Sequence, residues 1–343
     1  MALLPTLIVL PALLVLGVTW WSVMFDRLLI SKVNGDLTIA HQYLERLMER
    51  SDETLHALGD SAAFAAVAGA NDPAGLDRFL AARRTALGLD FLYVASAGGA
   101  ILAAAPPQTP GMEPQQWPVV NAALRGQATT AIDVLDAAAL QHLSPDMAAR
   151  ARIPLVDTPG AAPSQRQMED RGMVIQSGVP VRLADGRAGA LIGGTLLNQN
   201  LGFIDTINDL VYRAASLPAG SQGTATLFLD DVRISTNVRL FEGERALGTR
   251  VSRSVRDAVL GEGRVWLDRA FVVNDWYISA YQPIVDSRGA RVGMLYVGFL
   301  ERPFETAKLT MLAVIAAAFA LVLVVTVPIL LRWARGIFRP LER

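Results

Sequence analysis

The chain has 343 residues, enough for roughly two domains, and no cysteine for disulfides, thiolate metal sites or thiol nucleophiles. A mean hydropathy of +0.34 is unusual for a soluble domain and excludes wholesale disorder, so membrane segments are sought first. The net charge of −1 offers no basic surplus for nucleic acid, and three histidines (His41, His56, His142) leave little material for a metal cluster.

Two uncharged runs account for the hydropathy. The first, Ala2 to Phe25, has 24 residues and ends at Asp26; the second, Leu309 to Leu331, has 23 and lies between Lys308 and Arg332. Each reaches the ~20 residues that cross a bilayer core. The first run lacks a basic leader, is too long for a signal-peptide core and has no small-residue cleavage site before Asp26, so it is read as a retained anchor. The tail after Leu331 holds Arg332, Arg335, Arg339 and Arg343 against one glutamate. The positive-inside rule places that tail, and therefore both termini, in the cytoplasm. The 283 residues from Asp26 to Lys308 then lie outside. An anchored enzyme needs one span; two spans around a large outer segment offer a mechanical path across the membrane.

Apolar residues at Leu29, Val33, Leu37, Ala40, Tyr43/Leu44, Leu47, Leu55 and Leu58 make one stripe, predicting a long helix over 29–58 that continues the first span. The stripe serves either its own domain or a dimer seam. Then follow a helix over 76–87, strands over 91–96 and 100–105, a short helix over 117–124, a strand over 129–135 and a helical stretch over 137–151 with a break near Pro145. A polar loop over 157–172 leads into a hairpin of strands 173–183 and 189–197. The order then recurs: a connecting helix over 201–213, strands over 224–229 and 232–238 around Asp230-Asp231, a short helix over 251–260, and strands over 264–272, 276–285 and 292–300.

The two copies match in residues as well as order. Gly189-Ala-Leu-Ile-Gly-Gly-Thr-Leu and Gly293-Met-Leu-Tyr-Val-Gly-Phe-Leu are identical at four of eight places. Asn121-Ala-Ala-Leu parallels Asp257-Ala-Val-Leu. An internal repeat of this kind means two related α+β modules rather than one large fold.

A span, a long outer helix, two five-stranded α+β modules and a second span together resemble the double-Cache sensory domains of bacterial transmembrane receptors. The residues that carry the resemblance are Gly223–Val238, Arg245–Ser252, Trp276–Ile284 and Gly293–Glu301, all in the second module; the first matches in element order. The tail Arg335–Arg343 is similar to the start of a HAMP linker. The resemblance implies two tandem PAS-like antiparallel sheets with a ligand pocket on one face, and a homodimer seamed by the N-terminal helix. It also implies a histidine kinase, chemotaxis rod or cyclase beyond the chain, which is then expected to be a fragment of a longer receptor or the product of a truncated gene. The expected divisions are 1–25 and 306–331 for the spans, 26–72 for the long helix, 73–200 and 201–305 for the membrane-distal and membrane-proximal modules, and 332–343 for the cytoplasmic tail.

No hydrolase elbow, zinc-protease motif or phosphate loop is present, so no catalytic residue, metal or cofactor is expected. Asp230-Asp231 reads as a tight turn. For binding, alternation puts Arg233, Ser235 and Asn237 on one face of a strand, and Tyr277 and Tyr281 on one face of another. Arg269 shares a face with Leu267 and Phe271, where a charge needs a partner. A small-carboxylate pocket from Arg233, Ser235, Trp266, Arg269, Tyr277 and Tyr281 is expected, with the alternative that Arg269 pairs with an internal acid and the aromatics fill core. In the first module Tyr93, Trp117, Asp133, Arg152 and Gln176 are thinner candidates, though double-Cache receptors often bind ligand in that distal module. The expected function is a sensor in the bacterial inner membrane, its sensory part periplasmic or extracellular and its output most naturally a histidine kinase. The alternative is a protein-interaction or dimerisation module of a chemotaxis or cyclase receptor with no small ligand.

Overall fold

The computed structural model describes residues 3–70, 72–108, 114–213, 216–240 and 243–338. Helix α1 (Leu3–Gly59) is continuous from the first apolar run through the outer stripe. At 1.5 Å per residue it is about 85 Å long. The chain turns at Asp60, and Ser61 caps α2 (Ala62–Gly69) by accepting from the Phe64 amide. The expected segment 26–72 is therefore a helix to Gly59, then a separate short helix. Helix α3 (Pro73–Leu87) leads to strands β1 (Phe91–Ser96) and β2 (Ile101–Ala105), helix α4 (Pro118–Leu124) and strand β3 (Thr129–Leu135).

The stretch over 137–151 is two helices, α5 (Ala137–Leu143) and α6 (Pro145–Ala151). Proline disfavours the helical conformation in the residue before it, and Ser144 is extended at φ −167°. Just before the polar loop, β4 (Ile153–Pro154) pairs with β5 (Met168–Glu169) within it, an element the composition concealed. Strands β6 (Gly172–Arg182) and β7 (Ala188–Leu196) complete the first module. Helix α7 (Leu201–Val211), capped by Asn200, connects to β8 (Gly223–Leu229) and β9 (Val232–Thr236). The helix expected over 251–260 is one α-turn, α8 (Arg253–Arg256), followed by a π-turn at Asp257–Gly261. Strands β10 (Trp266–Val272), β11 (Asp275–Val285) and β12 (Arg291–Leu300) lead into α9 (Arg302–Phe338). Of the HAMP-like tail, 335–338 continue α9; Arg339–Arg343 lie outside the described residues.

Both sheets are antiparallel, with orders β2-β1-β7-β6-β3 and β10-β11-β12-β8-β9. Numbering each module's five strands from its own first, both read 2-1-5-4-3. The repeat seen in sequence is thus a repeat of topology, and its best-matching segments are the two central strands β7 and β12.

One face of each sheet packs on α1. Leu29, Val33, Leu37, Ala40 and Leu44 enter a core shared with Ile132, Met173 and Ile175 of the first module and with Leu227, Ile278 and Leu295 of the second. Leu55 and Leu58 join the first module's own core. The stripe is therefore consumed within the chain over these turns. The modules are also tied directly: the Arg253 amide donates to Gly160 O (2.8 Å), the Val156 amide to Gly248 O (3.0 Å), and the Ser287 hydroxyl to Asp133 Oδ1 (2.6 Å).

Candidate functional site

The face of the second sheet turned away from α1 carries Phe228, Tyr277, Tyr281, Met294 and Tyr296. Register places them together: Trp266 lies opposite Tyr281, Tyr281 opposite Tyr296, and Phe228 opposite Met294. The Tyr281 and Tyr296 rings are 4.6 Å apart and Phe228 and Tyr281 are 6.0 Å apart. The segment after β9 folds over this face, supplying Val238, Ala246, Val251, Val255 and Val259.

Arg233 enters this aromatic chamber from β9 and is 2% exposed. Its guanidinium carbon stands 5.0 Å from the Phe228 ring centroid. Nη1 donates to Thr249 Oγ1 at 2.9 Å, and the Arg233 backbone is tied to Thr249 O (2.9 Å) and the Gly248 amide (3.0 Å). Nε has no partner, and Trp266 Nε1 beside Tyr281 has none either. Among the described residues no carboxylate lies within ion-pair distance of Arg233, unlike Arg245, Arg250 and Arg269. Burial pushes its pKa down, partly offset by Tyr281, Tyr296 and Tyr277. The same burial raises all three tyrosines, so they are neutral hydroxyl donors at any physiological pH. A buried cation with free donors is costly until an anion arrives. Chemically, a guanidinium with an unpartnered Nε among aromatic rings is a donor that a carboxylate satisfies.

A cleft of about 840 Å³ opens beside it, sharing Tyr277 and Thr224 with the chamber wall; Tyr296 Oη lies 3.0 Å from Thr224 Oγ1. Among the described residues, Arg213, Arg239 and Arg245 line the cleft against one acid, Asp205, which Arg245 grips through both oxygens at 2.8 Å.

Of the six residues expected at the site, the structure brings Arg233, Trp266, Tyr277 and Tyr281 together. Ser235 is elsewhere. A bulge between Leu227 and Phe228 pairs Phe228 with Arg233 but Leu227 with Ser235. Neighbouring residues of β8 face opposite ways, so Arg233 and Ser235 do too. The Ser235 hydroxyl donates to Asn200 O at 3.0 Å on the α7 side. Strict alternation over 233–237 is thus corrected by one inserted residue. Arg269 also lies on the α1 face, opposite Ile278. It pairs with Glu301, and its Nη2 reaches Asp26 Oδ1 at 3.4 Å, the internal-acid arrangement weighed above. Sequence reasoning passed over Tyr296 and Thr249. Tyr296 was findable: it stands in the repeated Gly-x-Leu-x-x-Gly strand, two residues after Met294.

In the first module the equivalent face is packed with Phe91, Trp117, Leu140, Met147 and Ile192. Tyr93 Oη and both amide atoms of Gln176 are buried without partners. Asp133 sits instead at the junction with the second module, and Arg152 is exposed. Asp230 and Asp231 form the β8–β9 turn, Asp230 at φ +53°. Asp231 is buried under Arg250, whose Nη2 is 2.5 Å away.

Residues 195–310 match the family model described as single Cache domain 3. That segment spans α7 and the whole second sheet. A double-Cache sensory architecture fits, since the first module repeats the strand order of the matched second one. Among solved structures, the chain is similar to the sensor domain of the Vibrio cholerae histidine kinase DctB (TM-score 0.42, 11% identity, 80% of this chain and 97% of that one). It is also similar to the periplasmic domain of Vibrio cholerae LuxQ (0.38, 14%, 81% and 98%). A third is the ligand-binding domain of the Campylobacter jejuni chemoreceptor Tlp3 in complex with 4-methylisoleucine (0.42, 10%, 80% and 91%). No curated protein matches the sequence.

Proposed function

We propose that the chain is the sensory and membrane-spanning part of a transmembrane receptor, and that its second Cache module binds a small carboxylate at Arg233. The observation that carries this reading is the buried, acid-free guanidinium with an unpartnered Nε inside an aromatic chamber. The arginine-rich cleft beside it favours anionic visitors. Two helices are long and apolar enough to cross a bilayer, within α1 and α9. Both termini are then cytoplasmic and the modules extracytoplasmic.

The signal path is short. Strand β12 borders the chamber through Tyr296 and ends at Leu300, and α9 begins at Arg302. A ligand that favours one of two chamber states shifts this junction by its differential affinity. Displacements of about 1–2 Å are within the known repertoire of helix motions. The output is most naturally a histidine kinase, and the receptor a homodimer.

A second reading places the ligand in the first module, because Tyr93 and Gln176 are orphaned there. Titrating the full chain in nanodiscs with formate, acetate, propionate, lactate and matched amines, while following thermal unfolding, separates the two. Stabilisation by a carboxylate that Arg233→Met abolishes and Gln176→Leu leaves intact supports the chamber. The reverse pattern assigns the first module. No response to any of these probes counts against a small-carboxylate sensor and favours an interaction module.

A further inference from the structure

Phe271 and Trp276 form an edge-to-face pair at the tip of the β10–β11 hairpin, ring centroids 5.8 Å apart. They are 47% and 52% exposed, and among the described residues outside the two spans no other aromatic is so open. Neither belongs to a core cluster of the module.

Their height relative to the spans follows from contacts. Asp26 closes the first apolar run and Lys308 precedes the second; Lys308 Nζ lies 3.1 Å from Asp26 Oδ1, so the two mark one boundary. The Arg269 guanidinium reaches that same Asp26. Phe271 is two residues beyond Arg269, on the same face, in the direction in which β10 approaches α9. At 3.4 Å per residue its backbone stands about 7 Å nearer the spans than that of Arg269, whose extended side chain reaches down to Asp26, so Phe271 is close to the height of Asp26 itself. Trp276 is level with it across the hairpin, and its carbonyl accepts from the Glu301 amide (3.0 Å), the last residue before α9. The headgroup layer is about 5–7 Å deep on each side of a bilayer. Indole and phenyl rings favour that layer. The flanking charges are mixed, Asp275 and Arg302 pairing at 3.6 Å, so no particular lipid charge is required.

We propose that the β10–β11 hairpin is a membrane-surface foot of the second module, with Phe271 and Trp276 seated among phospholipid headgroups. The foot fixes the height of Trp276, and through the Glu301 amide the height at which α9 enters the bilayer. This rests on α1 and α9 crossing the membrane.

The absence of native cysteine allows single-site labelling of the full chain. A fluorophore is placed at Phe271→Cys, with Trp276→Cys as a second site, Leu102→Cys on the first module and Leu321→Cys within α9 as references. The proteins are reconstituted into phosphatidylcholine nanodiscs carrying a nitroxide on either the headgroup or the mid-acyl chain. Expected is loss of emission at 271 and 276 with the headgroup nitroxide, at 321 with the chain nitroxide, and at 102 with neither. Emission at 271 and 276 that stays as bright as at 102, with 321 quenched, overturns the foot while leaving the spans in place. An unquenched 321 overturns the spanning arrangement and the foot with it.

Discussion

Replacing Arg233 by methionine is expected to leave the ligand-free protein as stable as before, or more so, while destroying its response to carboxylates. The side chains are similar in volume, so the space stays largely filled. The lost favourable terms are the contact with Phe228, about 0.5–2 kcal/mol, and the bond to Thr249, about 1.5–3 kcal/mol. Thr249 keeps its own bond to Ala246 O at 2.7 Å, so no new orphan is made there. Against these stands the desolvation of an ion that has no counter-charge, several kcal/mol. The balance is a gain of about 0–3 kcal/mol in the apo state. Ligand binding moves the other way. Removing one partner of a buried charge pair costs at least about 2 kcal/mol, a thirtyfold weakening or more. For the wild type, a carboxylate at one hundred times its dissociation constant adds about 2.7 kcal/mol. At about 2–4 °C per kcal/mol for a unit of this size, that is roughly 5–10 °C in Tm. The assay is thermal unfolding of both proteins in nanodiscs, with and without the carboxylate series. A variant destabilised by more than about 2 kcal/mol, beside a wild type indifferent to every carboxylate, would make Arg233 a structural residue and refute the argument.

Three further outcomes are expected. Asp133 is buried between the modules with Oδ2 unpartnered; burial and Asp286 raise its pKa, while Ser287 and Arg288 lower it, and the net is upward. Its stabilising contribution is full below the ordinary value of 3.8 and is lost as pH rises through the folded pKa, so Asp133→Asn should be the more stable protein at pH 7 and match wild type near pH 3.8, read by chemical unfolding across pH. For Glu169, burial would raise the pKa, but bonds from Arg171 and Arg166 outweigh it and hold the carboxylate below 4.5; the stability it lends is present above that pH and fades as pH falls through the lowered value, so Glu169→Gln should flatten the acid limb of the unfolding profile. Leu37→Ala should cost about 2–5 kcal/mol in unfolding free energy without changing the mass seen by light scattering, because this turn of α1 is buried in the chain's own core; dissociation of an oligomer instead would place Leu37 at a subunit seam.

Much of the architecture was legible because it is written locally. Uninterrupted apolar runs, steps of three and four residues, and alternation between turn residues mark the two apolar segments, the long helix and the ten large strands among the described residues. The repeat was visible because two central strands face the same packing problem and meet it with similar residues. The short β4–β5 pairing was not legible, since two-residue strands leave no period. Neither was the breakdown of the helix expected over 251–260, where the chain bends to cover the chamber and to bond with Gly160 of the other module.

The candidate site divides along the same line. Alternation alone was enough to put Tyr277 with Tyr281; that Trp266 stands beside them was decided by the register of β10 on β11. Alternation misplaced Ser235, because a bulge depends on how β9 meets β8 and not on the residues of β9. That Arg269 is neutralised and Arg233 is not was decided in three dimensions. Glu301 and Asp26, 32 and 243 positions away from Arg269, converge on it where the helices leave the module. No acid converges on Arg233 among the described residues. Sequence sets which groups exist and the faces they share with near neighbours. Folding sets which charges are left unanswered, since electrostatic partners are chosen by distance through space.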